Sequence, residues 1–171
     1  SRFPRAQLLS LDLNEVVESA LSVFAGRLEN ITVSVDLGRG IPNVVADREQ
    51  MKRVIVNLID NAAEAMIDSP LKRIFLRTAQ TGPDTVELAV IDTGSGISAA
   101  DKEKLFLPYF STKGRGTGLG LAIVSHIIKE HHGRVRVEDN KPTGMRFIVE
   151  LNTSPIPDSL STEESGVVSA S

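Results

Sequence analysis

Cysteine and tryptophan are absent from this chain, tyrosine occurs once, and aromatics make up only 4% of its 171 residues. Without cysteine there is no disulfide framework, no thiol nucleophile and no thiolate metal site. No apolar run approaches the ~18 residues that a membrane-spanning helix requires. The opening "SRFPRAQLLS" has no apolar stretch of signal-peptide length. These absences make the cytosol the expected compartment. Net basic charge is missing as well. The formal −3 resides in residues 153–171, which hold Asp158, Glu163 and Glu164 and no Lys or Arg. The electrically balanced remainder offers no basic stripe to nucleic acid. What is present is ordinary for one globular domain with a sizeable core: 41% hydrophobic and 24% charged residues. The end, "TSPIPDSLSTEESGVVSAS", is rich in Ser, Thr and Pro and is expected to be disordered.

Apolar periodicity orders the rest. Val16, Val17, Ala20, Leu21 and Phe24 mark a helix within 12–29, capped by Asp12 or Asn14. Short extended stretches follow at 31–37 and 43–47. A long helix is expected from about Arg48 to Met66, with Met51, Val54, Ile55, Leu58, Ile59, Ala62 and Met66 as its apolar face. Residues 72–80 and 84–92 bracket a "TGP" turn and read as a hairpin. A short helix at 98–106 and a glycine-rich loop at 107–117 lead to a second long helix, about Gly118 to His132. "RVRVED" and "MRFIVEL", joined by "NKPTG", read as a closing hairpin. Long helices between antiparallel pairs predict an α+β fold, a two-layer sandwich with a mixed, mostly antiparallel sheet and helices on one face.

Three local patterns carry chemistry. On the 48–66 helix, Asn57, Asn61 and Glu64 share one stripe beside the apolar face. Asn is a poor mid-helix residue because its amide competes for backbone partners. Two at i, i+4 are either a solvated edge or amide oxygens suited to a hard cation such as Mg²⁺. In "VIDTGSGI" (90–97) a strand ends at Asp92, with Gly94 and Gly96 after it. This is either a plain turn or a grip on a planar heterocycle, the carboxylate accepting from an exocyclic amine over bare backbone. The third pattern, "RGTGLGLAIV" (115–124), runs glycines into a helix N-terminus with Lys113 upstream. Free N–H groups and the helix dipole favour a phosphate there, unless the segment is a flexible connector. It fits neither the P-loop nor the dinucleotide fingerprint. Together the three spell a nucleotide.

As a set, "NLIDNAAEA" (57–65), "DTGSG" (92–96), "LFLPYFSTK" (105–113) and "GTGLGL" (116–121) resemble the N, G1, F and G2 boxes of the ATP-binding domain of sensor histidine kinases, nitrogen-regulation type. The resemblance covers about residues 10–152 and implies the ATPase fold shared with gyrase, mismatch-repair and heat-shock chaperone proteins. It implies ATP and Mg²⁺ as cofactors. Asn61 would coordinate Mg²⁺ and Asn57 would serve the phosphates and their waters as a catalytic residue. Asp92 would take the adenine amine, with Gly94, Gly96 and Ile97 beside the ring. Phe106 and Phe110 would anchor the two ends of an ATP lid. Lys113, also catalytic, and Gly116, Thr117, Gly118, Leu119 and Gly120 would close on the phosphates. Glu64 falls among the binding positions but departs from the basic residue that often stands there. Met145 after Gly144 replaces a small or hydroxyl residue, withdrawing a side-chain hydrogen bond near the adenine.

The same resemblance implies that residues 1–11 end a dimerisation hairpin or linker, that 12–152 are the ATP-binding catalytic domain, and that the acceptor histidine lies upstream. His126, His131 and His132 fall on or at the end of the second long helix, where cations suit the dipole, and read as structural or solvated. Implied partners are that upstream hairpin and a response regulator, in a homodimeric intact protein with room for a membrane anchor outside this stretch. Two other classes compete: an anti-sigma-type serine kinase of the same fold, and a self-contained ATPase. Hydrolysing relatives carry Glu at position 57 as general base. Asn57 cannot take a proton at neutral pH, which disfavours the self-contained ATPase.

Overall fold

The computed structural model describes residues 4–111 and 118–154. The expected disorder of the Ser-rich end, 153–171, falls outside the described residues apart from Thr153 and Ser154. Eleven elements follow in order among the described residues: β1 (Leu9–Leu11), α1 (Leu13–Ser22), β2 (Thr32–Leu37), β3 (Val44–Ala46), α2 (Arg48–Ala65), β4 (Arg73–Gly82), β5 (Thr85–Asp92), α3 (Ala99–Lys102), α4 (Gly120–Glu130), β6 (Arg134–Asp139) and β7 (Met145–Asn152). Five strands form one sheet in the order β2-β4-β5-β7-β6, and β1 pairs with β3 in a small separate ladder. Only β2 and β4 run parallel in the large sheet; β4–β5 and β6–β7 are the two expected hairpins. The mixed, mostly antiparallel sheet is therefore as predicted.

Alternation decides which face of the sheet carries the helices. Ile74, Leu76, Val86, Leu88, Val90, Phe147, Val149 and Leu151 point to one side and are buried there. The α2 stripe of Met51, Val54, Ile55, Leu58, Ile59 and Ala62 packs on them, with Val16 and Val17 of α1 and Val124, Ile127 and Ile128 of α4 completing the core. Each such side chain contributes roughly 1.5–3 kcal/mol by leaving water. Caps set the helix starts. Asp12 accepts from the Asn14 amide at 2.9 Å, and Asp47 accepts from the Gln50 amide at 3.0 Å. Asn14, the other candidate cap, instead spans to β4: it donates to the Gly38 carbonyl and accepts from the Thr78 hydroxyl.

Two ends differ from the periodic reading. Helix α1 stops at Ser22, and Val23, Phe24 and Ala25 continue it with tighter i→i+3 bonds before Gly26 turns the chain at φ +78°. Phe24 is still buried, which is why the apolar period runs past the helix. Strand β1 carries no periodic signal; three residues gain their extended form only from pairing with β3.

Candidate functional site

Helix α2, the β5 end, the 105–111 segment and the start of α4 enclose a cleft of about 460 Å³. Asn57, Asn61 and Glu64 line its α2 side, and Asp92, Gly96 and Ile97 its sheet end. Phe110, Gly118 and Gly120 face them across the gap. Residues from all four boxes thus share one cavity. The stripe follows from helical spacing: the apolar face of α2 is fixed against the sheet, so the neighbouring polar positions must face the opening.

Asp92 is buried at the end of β5. Its Oδ1 accepts from the Gly94 amide at 2.8 Å and from the Met145 amide at 3.2 Å. Met145 thus reaches Asp92 through its backbone amide and also lines the cleft. On the other side, Asn57 Nδ2 donates to the Gly120 carbonyl at 3.1 Å, fixing the first turn of α4 against α2. The α4 N-cap residue is Leu119, which makes no side-chain capping bond. Gly118 adopts φ +71°, and a Cβ there would collide with the Tyr109 backbone. That segment needs glycine for close approach as well as for its backbone angle.

Three predicted positions stand outside the cleft lining. Gly94 is buried against the Ala65 carbonyl. Phe106 packs edge-on against Phe147, ring centroids 6.4 Å apart. Leu119 caps α4 rather than lining the gap. Lys113, Gly116 and Thr117 lie outside the described residues. The cleft also includes Asp60, Ala65, Ser95, Leu105, Ser111 and Leu121, which the sequence did not single out. Asp60 follows Asn57 by three and precedes Asn61 by one, so the helical stripe could have found it. Burial pushes its carboxyl above the ordinary range, partly offset by Arg27.

Of the histidines, His131 is buried and holds two elements together. Its Nδ1 meets the Ile127 carbonyl at 2.8 Å, while the Asp47 amide donates to Nε2 at 3.0 Å. An acceptor at Nε2 requires the neutral ring, and desolvation lowers its pKa accordingly. Of the two expected roles, structural or solvated, His131 takes the structural one, as a neutral bridge. Among the described residues no group of three or more His, Cys, Asp or Glu is placed to hold a metal, and no helix is long and apolar enough to cross a membrane.

Comparison with known proteins agrees with this geometry. The family model described as histidine kinase-, DNA gyrase B-, and HSP90-like ATPase matches residues 46–155. The chain is 36% identical over 79% of its length to the sensor protein FixL of Bradyrhizobium diazoefficiens, of which it spans 27%. It is 39% identical over 88% of its length to the C4-dicarboxylate transport sensor protein DctS of Rhodobacter capsulatus, of which it spans 23%. It therefore covers about a quarter of these curated relatives. Among solved structures, a mycobacterial sensor histidine kinase MprB chain superposes with a TM-score of 0.77 at 30% identity, covering 88% of this chain and all (100%) of that one. The catalytic domain of histidine kinase ThkA superposes equally well, TM-score 0.77 at 33% identity, covering 87% of this chain and 99% of that one. The chain belongs to the histidine kinase-, DNA gyrase B- and HSP90-like ATPase family, and within it to the catalytic domains of sensor histidine kinases. Membership implies ATP binding.

Proposed function

We propose that this domain holds ATP with Mg²⁺ in the α2–α4 cleft and donates the γ-phosphoryl group to a histidine on a helical hairpin outside these 171 residues. The observation that carries the reading is that Asn57, Asn61, Asp92 and the N-terminus of α4 converge on one cavity. Buried Asp92 would accept from the adenine amine, and guanine's carbonyl would face it unfavourably. The N-terminus of α4 would receive phosphate through its amides and dipole. Asn57, its Nδ2 committed to Gly120, would present Oδ1 to the phosphates and their waters, and Lys113 would supply a point charge.

The donor set suits Mg²⁺ rather than a metal needing a protein cage. Asn61 offers one neutral amide oxygen, and a hard cation that keeps most of its waters accepts such an oxygen together with phosphates. Bound there, Mg²⁺ would neutralise charge on the phosphates. With Asn rather than a carboxylate at position 57, no base is provided there for water, so hydrolysis is expected to be slow. Positioning and electrostatics do most of the work in phosphoryl transfer; the nucleophile must come from the hairpin.

In the whole protein we place this domain beside its own dimerisation hairpin, residues 1–11 forming the connection, with a response regulator as the next acceptor. The ThkA relative, crystallised in complex with response regulator protein TrrA, superposes at a TM-score of 0.72 and 28% identity. The test is incubation with γ-labelled ATP and Mg²⁺, with and without the hairpin supplied as a separate chain. Acid-labile label on the hairpin histidine, and none on the domain, is expected. Acid-labile label on the domain alone, or acid-stable label on a serine of a partner, would overturn the reading.

A further inference from the structure

Asp92 does not hold its own orientation. The turn between β6 and β7, residues 140–144, is pressed onto the end of β5. A Cβ at Gly144, whose φ is +102°, would fall within the Asp92 carbonyl, so the two backbones are in direct contact. Three hydrogen bonds cross that contact. Asn140 Nδ2 donates to the Asp92 carbonyl at 3.0 Å. The Thr143 hydroxyl donates to the Gly94 carbonyl at 2.6 Å. The Met145 amide donates to Asp92 Oδ1 at 3.2 Å. Asn140 also holds the turn itself, through Nδ2 to the Thr143 carbonyl at 3.0 Å and its own amide to the Gly144 carbonyl at 2.9 Å.

Neither Asn140 nor Thr143 lines the cleft. Both instead fix carbonyls at the sheet end of the cleft: one on Asp92, which lines it, and one on Gly94, whose amide bonds Asp92 Oδ1. Rotation of the Asp92 peptide would carry its carboxylate with it, and a carboxylate tilted away from the ring plane loses its bond to an in-plane amine. We infer that Asn140 and Thr143 are positioning residues for purine recognition, setting the Asp92 carboxylate at the angle that selects a 6-amino group. The inference rests on the proposed ATP site and concerns only its base end; the phosphates would sit across the cleft.

The experiment compares the affinities of ATP and of purine riboside triphosphate, which lacks only the 6-amino group, for the domain and its variants. Asn140→Asp keeps the shape of the side chain and replaces the donor with an acceptor facing the Asp92 carbonyl. Thr143→Val removes the hydroxyl at constant volume, and Thr143→Ser restores it. The wild-type domain is expected to favour ATP by about tenfold or more, the scale of one buried charged hydrogen bond. In Asn140→Asp and Thr143→Val the preference falls to within about threefold, because ATP weakens and the deamino analogue does not; Thr143→Ser recovers it. A purely structural role would weaken both nucleotides alike, and unchanged ratios in folded variants would overturn the inference while leaving the ATP site standing. A wild-type domain that binds both triphosphates equally would overturn the base-end reading of Asp92 and this inference with it. Should Asn140→Asp fail to fold, the Thr143 pair decides alone.

Discussion

Asn57 Nδ2 donates to the carbonyl of Gly120, 63 positions further along the chain, and so ties the middle of α2 to the first turn of α4. One side chain thereby joins the end of the cleft proposed for the cation to the end proposed for the phosphates. Removing the bond in Asn57→Ala should leave the core intact, since Asn57 packs beside and not within the apolar stripe. One hydrogen bond contributes about 1 kcal/mol. Amide exchange in the first turn of α4 should therefore quicken about fivefold in the nucleotide-free domain. Exchange as slow as in wild type would mean that α4 is held by packing alone.

Base selection is the second consequence. Guanine presents a carbonyl where adenine presents its amine, setting an acceptor against the buried Asp92 carboxylate. Leaving such a group unpaired costs ~1–3 kcal/mol, more when charged. ATP should bind at least ~10-fold more tightly than GTP, and Asp92→Asn, whose amide can turn a donor to the ring, should narrow that gap. Competition of both nucleotides against a fluorescent analogue measures it. Equal affinities in wild type would contradict the assignment.

Stability should fall on mild acidification through His131. The folded ring is neutral with a pKa below the ordinary 6.5, because burial disfavours the cation and the Asp47 amide occupies Nε2. The unfolded chain therefore binds more protons between the lowered folded pKa and 6.5. The bridge is fully stabilising above the unfolded value and is lost as pH falls from there through the folded one. Urea midpoints at pH 7.5 and 5.5 test this; His131→Asn should flatten the difference. An identical pH slope in wild type and variant would remove His131 as its cause.

These consequences divide between what the sequence announces and what only packing creates. Helical and strand periods are local, so α2, α4 and both hairpins were legible, and the spacing of Asn57, Asn61 and Glu64 placed them together before any fold was known. Leu105 and Leu121 pass unmarked in the sequence because an apolar side chain carries no sign of facing a cavity. The Asn140–Thr143 clamp and the His131–Asp47 bridge join residues roughly 50 to 84 positions apart, and no local pattern encodes such a pairing. His131 also shows a local rule losing to burial: the helix dipole favours a cation, but removal from water costs the cation more. Strand β1 was invisible for a similar reason, since three residues have no period of their own.

In the proposed site α2 presents a divalent cation to a nucleotide whose base rests on Asp92. The most direct measurement of this is calorimetric titration of the domain with ATP, with and without Mg²⁺, in wild type and Asn61→Ala. Mg²⁺ should tighten ATP binding in wild type, and Asn61→Ala should lose most of this gain while its thermal unfolding remains cooperative. Equal Mg²⁺ enhancement in the two proteins would contradict this arrangement.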